Sequence, residues 1–343
     1  MNKAAPSPAP SHPWFGRIVR ILLVLALALL GAGFLYENVS EARDRRFNPM
    51  TGRRFDVGGY KMHIDCTGQG SPTVILESGL GDTYVSWRKA QPQIAKFTGV
   101  CSYDRAGLGY SKSSSRPRSS REIAEELHTL LKVADIAPPY VLVGHSMGGF
   151  HVRVFASLYR SEVAGMVLVD ASHPDQENRF PPELKNLEGS WMRETEFLAY
   201  TMPLGVPRLL NLCDDDPVAR AAECNFRNAR ETVAELKAFP ESAAETAATA
   251  ALGDLPLAVL SRDPDKPSAD LPADLSQPAN AAWEKMQEEL AHLSTRGTRT
   301  IAKNSGHYIQ IDRPDVVIDA VHSVVEQVRA PQSNIAVSAA KDR

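Results

Sequence analysis

At 343 residues, with 43% hydrophobic and 23% charged side chains, the chain can bury a substantial core as one large or two modest domains. A formal net charge of -3, with no basic cluster in the body of the chain, argues against nucleic acid as a main partner.

Residues 1–13 are rich in Pro, Ala and Ser and are expected to be a disordered tail. Trp14–Tyr36 follows, apolar without a break from Ile21 to Leu35. Such a segment spans roughly 34 Å as a helix, enough to cross a bilayer core. Lys3, Arg17 and Arg20 precede the Ile21–Leu35 run and aromatic residues mark both ends of the segment, which places the amino terminus in the cytoplasm and everything after Tyr36 outside. A cleaved signal peptide is the competing reading, with Gly31-Ala32-Gly33 as a tolerable cleavage site. The missing polar face speaks against a buried helix of a soluble domain. Glu37–Gly52 is polar and charged, expected to be a stalk; its Asn38-Val39-Ser40 sequon is a weak signal.

Export agrees with the cysteine count. Four cysteines permit two disulfides, and Cys66–Cys101 between neighbouring strands and Cys213–Cys224 closing a short loop are the expected pairs.

The globular body begins near Arg53. Phe55–Val57 and Lys61–Cys66 flank Gly58-Gly59, a hairpin signal. Thr73–Leu76 and Gly99–Tyr103 read as buried strands, and Ser120–Lys132 as an amphipathic helix. Tyr140–Val143 is a strand without polar alternation, as in a parallel sheet covered on both faces. Gly144-His145-Ser146-Met147-Gly148 breaks it, a helix runs on to about Tyr159, and Gly165–Val169 is the next strand. Strands alternating with helices predict an α/β fold with a largely parallel sheet.

From His173 to Asp254 no buried strand is expected. Helical pieces over Glu183–Tyr200, Asp216–Ala238 and Ser242–Ala251 suggest an inserted helical cap over 173–254, dividing a core of 53–172 and 255–329. Leu255–Leu260, a linker rich in Pro, Ser and Asp, a helix Asn280–Leu293, a strand Thr298–Ala302 and a helix Asp315–Val328 complete the body. The tail from 330 to 343 is expected to be disordered.

G-x-S-x-G between a strand and a helix is a nucleophile elbow, which lifts Ser146 above the sheet edge. A serine attacks only when a base takes its proton, and a third group must hold that base in the right tautomer. Of the nine histidines, His307 lies in the loop after the last strand and is the candidate base. His145 adjoins the nucleophile but is expected to point away from it, and His173 could touch substrate. The acid stays open between Asp170, Asp263 and Asp265, all at carboxyl ends of strands, with Asp175 a remote option. The oxyanion would be met by the Met147 N–H and by the Leu80 N–H of the glycine-bearing loop Glu77–Gly81.

With GHSMGG at 144–149, ESGLG at 77–81, YDRAGLGYS at 103–111, VLVDASHPDQ at 167–176 and SGHYIQIDRPD at 305–315, the chain from Arg53 to Arg329 resembles a cap-bearing α/β-hydrolase. The resemblance implies an eight-stranded, mostly parallel sheet, Ser146 as nucleophile, His307 as base, and an acid after the sixth or seventh strand. Glu77-Ser78 stands where many members carry His-Gly, and Arg262 replaces the common glycine before the acid. Serine at 146 argues against the dehalogenase and epoxide-hydrolase branches.

The expected function is a membrane-tethered serine hydrolase, facing outward, that cleaves an ester, lactone or small amide with a partly hydrophobic portion. Its partners would be that small molecule and, through residues 14–36, the lipid bilayer. No metal or organic cofactor is implied. The alternatives are a C–C bond hydrolase or perhydrolase on the same scaffold, a non-catalytic binding protein, or a membrane-surface adaptor.

Overall fold

Runs such as Val141-Leu142-Val143 and Val167-Leu168-Val169 carry no polar alternation, because both faces of their sheet are covered. In the computed structural model, which describes residues 13–266 and 273–330, these runs form the middle of an eight-stranded sheet. The strands are β1 (Arg53–Asp56), β2 (Lys61–Thr67), β3 (Thr73–Glu77), β4 (Val100–Asp104), β5 (Tyr140–His145), β6 (Val163–Val169), β7 (Leu257–Arg262) and β8 (Gly297–Ala302). Their order is β1-β2-β4-β3-β5-β6-β7-β8. The pairs β1/β2 and β2/β4 are antiparallel and every other pair is parallel. Both expected tails fall outside the described residues, Pro13 and Ala330 apart, as does part of the linker after β7.

Successive side chains of each strand enter opposite layers. Ile75, Leu142, Met166, Leu168 and Val259 pack on one side under Ser120–Val133 and Gly148–Leu158, through Leu127, Leu130, Val152 and Phe155. Val74, Leu76, Val141, Val143, Val167 and Val169 pack on the other with Trp87, Ile94 and the Val317, Val321 and Val324 stripe of Pro314–Arg329. Each such aliphatic side chain removed from water stabilises the fold by about 1.5–3 kcal/mol. The layered burial fixes the strand register, so all parallel strands end at one edge.

Between β6 and β7 the described residues form helices and turns without a strand. The helix expected over Asp216–Ala238 is two helices, Pro217–Glu223 and Phe226–Lys237. Asn225 separates them as an N-cap, its side chain accepting from the Asn228 N–H. The preceding Cys224 is bonded to Cys213, and Cys66 to Cys101, both as expected.

The stalk expected over 37–52 is a correction. The amino-terminal helix does not stop at the end of the apolar run but continues from Pro13 to Phe47. Its polar part is docked: Arg208 binds Glu37 Oε2 at 2.9 Å and Asp44 Oδ2 at 2.5 Å, and Arg45 lies over the Tyr110 ring. Glu37 is buried there. Partners on the body absorb charges that a free stalk would leave in water. This is the one helix among the described residues long and apolar enough to cross a membrane.

Candidate active site

Four loops meet at the carboxyl edge of the parallel strands. The turn after β5 is so tight that a Cβ on Gly148 would lie 2.6 Å from the Ser78 carbonyl oxygen and 2.7 Å from that of Glu77. Ser146 is the apex, with φ +51°, a left-handed conformation rare for a residue with a side chain. The ladder holds it there: the Ser146 N–H donates to Val169 O, while its carbonyl accepts from the N–H groups of Gly149 and Ser172.

Asp170 occupies the equivalent place at the end of neighbouring β6, also with positive φ (+40°). Its N–H donates to Leu260 O of β7. The carboxylate is fully buried and fully engaged. Oδ2 lies 2.7 Å from His307 Nδ1, and Oδ1 accepts from Trp283 Nε1 at 2.7 Å and from the Arg262 N–H at 3.0 Å. Burial alone would push this acid up; Arg262 and the His307 bond overcome it and hold Asp170 down at about 2. Arg262, the residue standing at the common glycine, is thus a cation backing Asp170.

His307 sits between β8 and the short helix Ile309–Asp312. With Nδ1–H donated to Asp170, Nε2 keeps its lone pair for a proton. Burial lowers its pKa, against the raising effect of the Asp170 bond, so the neutral imidazole is favoured. The backbone carbonyl of His307 accepts from His145 Nε2 at 3.0 Å, and the two rings lie 4.7 Å apart. His145 therefore does not simply turn away, as the sequence suggested: it is a seat for the His307 loop. His307 is held at two points, by its carbonyl on His145 and by its ring on Asp170.

Asp263 and Asp265 are not brought to His307. Asp263 accepts from the Asn304 N–H at 2.8 Å and from Lys303 Nζ at 3.1 Å, while its own N–H donates to Ser305 O. It ties the loop that carries His307. Asp265 is an exposed partner of Lys303. Asp175 pairs with Arg179, and His173 lies 3.5 Å from Glu289.

Leu80 and Met147, the expected donors to an oxyanion, share one cluster, for the Leu80 side chain packs against the buried group of Met147, Phe150 and Ala243. Among the described residues neither N–H donates to a protein acceptor. Beneath this loop is a network that sequence reading missed. Arg105 donates to Glu77, to the carbonyls of Ser78 and Gly79, and through Nε and Nη2 to Glu235 of the Phe226–Lys237 helix. Glu235 in turn accepts from the Gly81 N–H, and Tyr103 donates to Glu77. The helices after β6 also cover the elbow directly: Phe239 and Ala243 pack on Met147 and Phe150, and Phe180 stacks on Trp283. Among the described residues no group of three or more His, Cys, Asp or Glu is arranged to hold a metal ion.

A family model described as the alpha/beta hydrolase fold matches residues 72–201, the stretch that contains β3, the elbow and Asp170. The chain has the α/β-hydrolase fold. It is 27% identical over 273 residues to the protein named uncharacterized protein YqjL of Bacillus subtilis, covering 79% of this chain and 91% of that one. An AB hydrolase superfamily protein of Gibberella zeae is 31% identical over 105 residues, 29% of this chain and 33% of its own. An uncharacterized vacuolar membrane protein of Saccharomyces cerevisiae is 33% identical over 134 residues, 34% of this chain and 21% of its own. Among solved structures, a thermophilic esterase from Thermogutta terrifontis superposes with a TM-score of 0.58 at 21% identity, covering 81% of this chain and 99% of that one. The epoxide hydrolase CorEH gives 0.58 at 19% identity, with 81% and 99% covered. At these identities the two structures speak to the fold.

Proposed function

We propose that this α/β-hydrolase is a serine hydrolase that cleaves a carboxylic ester, lactone or small amide through an acyl-enzyme on Ser146. Ser146 Oγ attacks the acyl carbon as His307 Nε2 takes its proton; the proton then passes to the leaving group. Water, deprotonated by the same imidazole, releases the acid and restores the serine. Asp170 keeps the Nδ1–H tautomer and stabilises the imidazolium. The N–H groups of Leu80 and Met147 meet the oxyanion, and the helices of 173–254 close over the site as a cap. The 14–36 segment anchors the chain in a membrane with the catalytic body on the extracytoplasmic side, which suits its two disulfides.

The 2.7 Å bond between His307 Nδ1 and Asp170, at the strand end beside Ser146, is the observation that carries this reading. The serine side chain sets it apart from chemistry that needs a carboxylate nucleophile. A fluorophosphonate probe tests it. Wild type and Asp263→Asn should label; Ser146→Ala should not. His307→Ala and Asp170→Asn should label at least about a thousandfold more slowly. An unlabelled wild type, or equal labelling of the Asp170 and wild-type proteins, would overturn the proposal.

A further inference from the structure

The helices that follow β6 touch the amino-terminal helix inside its apolar stretch. A Cβ on Gly33 would sit 2.6 Å from the Leu204 carbonyl oxygen, and one on Gly205 would sit 2.7 Å from the Tyr36 ring. Three residues of helix rise about 4.5 Å, so Leu204 lies that far inside the end of the 14–36 span. Side chains near it are apolar and turned outward. Phe197 and Tyr200 are 56% and 76% exposed, and Leu209, Leu210 and Leu212 are 65%, 58% and 54% exposed.

These leucines are not displayed by a loose loop. Arg208 is clamped to Glu37 and Asp44, Asn211 takes a left-handed turn with φ +53°, and Cys213 is locked to Cys224. Exposed Asp214 and Asp215 come next, where the chain returns to water. A cluster of this size facing solvent would cost stability and solubility without a partner.

We infer that this surface, Phe197 to Leu212, is immersed in the acyl-chain boundary of the same bilayer that the amino-terminal helix spans. The inference rests on the anchor reading of residues 14–36. Interfacial segments bury their apolar face about 5–10 Å deep, and the roughly 4.5 Å set by the Gly33–Leu204 contact lies just short of the shallow end of that range. Continuity with the span selects lipid over a protein partner, because a protein docked there would have to share its surface with the membrane. Tyr200 and the leucines meet the acyl chains, and Asp214 and Asp215 lie in the headgroup water.

The test uses the full chain, reconstituted in phosphatidylcholine vesicles with or without lipids brominated near the headgroup end of the acyl chain. Leu210→Trp adds one tryptophan to the parent, and Lys132→Trp, at an exposed position in the last turn of the Ser120–Val133 helix, is the control. The emission added at 210 should fall by about half or more with brominated lipid, as expected for a ring at that depth, and the emission added at 132 should not change. Emission at 210 that is unquenched in a chain resisting alkaline carbonate extraction would overturn the inference while leaving the anchor in place. A blue shift at 210 without quenching, growing with protein concentration, would assign the surface to a second copy and overturn it equally. Extraction of the parent chain by carbonate would remove the anchor and this inference together.

Discussion

Trp283 donates its indole N–H to Oδ1 of Asp170 at 2.7 Å, leaving Oδ2 for His307. The carboxylate is therefore fixed from behind by a ring that is itself buried, in the Ala273–Ala291 helix, and capped by the Arg262 guanidinium at 4.8 Å. Removing one donor from a fully buried carboxylate costs about 1–3 kcal/mol. Trp283→Phe keeps the packing and deletes the bond. On the proposed mechanism, in which Asp170 serves the imidazolium formed in the transition state, it should lower kcat by about tenfold with little change in KM. Steady-state kinetics on a chromogenic short-chain ester checks this; a rise in KM alone would place Trp283 in substrate binding.

His307 gives a pH signature. With His307 as the base proposed above, hydrolysis would need its neutral form, so the rate should climb as pH rises through its pKa. Burial sets that pKa below the ordinary 6.5. The acid limb of kcat/KM should accordingly fall below pH 6.5, with a plateau at neutrality. Asp170→Asn removes the interaction that raises His307, so its residual activity should show a limb displaced further to acid. A wild-type limb above pH 6.5 would contradict the burial argument.

Much of this site was legible in the chain, for local reasons. Apolar runs without alternation announce covered parallel strands, and glycines at 144 and 148 announce a turn that only they fit. The placement of Ser146 at the turn after β5 and of His307 in the loop after β8 follows from position at strand ends. Which of Asp170, Asp263 and Asp265 meets the His307 ring is not legible, because all three follow strands and precede His307. It turns on which strand end the His307 ring faces, a distance across the sheet. Arg262 held the one available signal: a cation at a usual glycine needs an anion nearby, and Asp170 is that anion. That the segment expected as a stalk continues the first helix and docks on the body is not legible, because the partners of its charged residues, Arg208 and Tyr110, lie far along the sequence.

Arg105 illustrates the same limit and carries a prediction. Its side chain is 2% exposed, those of Glu77 and Glu235 are fully buried, and the loop bearing the Leu80 N–H hangs from it through the Ser78 and Gly79 carbonyls. Breaking a buried pair of this kind costs about 3–5 kcal/mol because a charge is left alone. Arg105→Lys cannot reproduce the fork and should lower kcat by about 10–100-fold through a misplaced oxyanion donor. Glu235→Gln keeps the shape of the acceptor and should recover most of the activity, despite a lower melting temperature. If both variants lose stability and activity in proportion, Arg105 is a packing residue and not a positioning one.

Glu223 gives the last prediction, on stability. It ends the Pro217–Glu223 helix, receives the Thr83 hydroxyl at 2.7 Å, and is pushed up to about 8 by burial and by neighbouring Asp82. The folded state thus keeps a proton that the unfolded chain releases near 4.5. Between those two values the native state binds more protons than the unfolded one, so stability falls as pH rises across that window and levels off above it. Each pH unit is worth about 1.4 kcal/mol, an upper bound that relaxation and water entry reduce to about 1–2 kcal/mol over the whole window. Glu223→Gln cannot ionise and can still accept from Thr83. It should melt several degrees higher than the parent at pH 8.5 and at about the same temperature at pH 4.5. Thermal melts at the two pH values decide the matter: an equal difference between variant and parent at both would mean that Glu223 is already ionised in the folded protein.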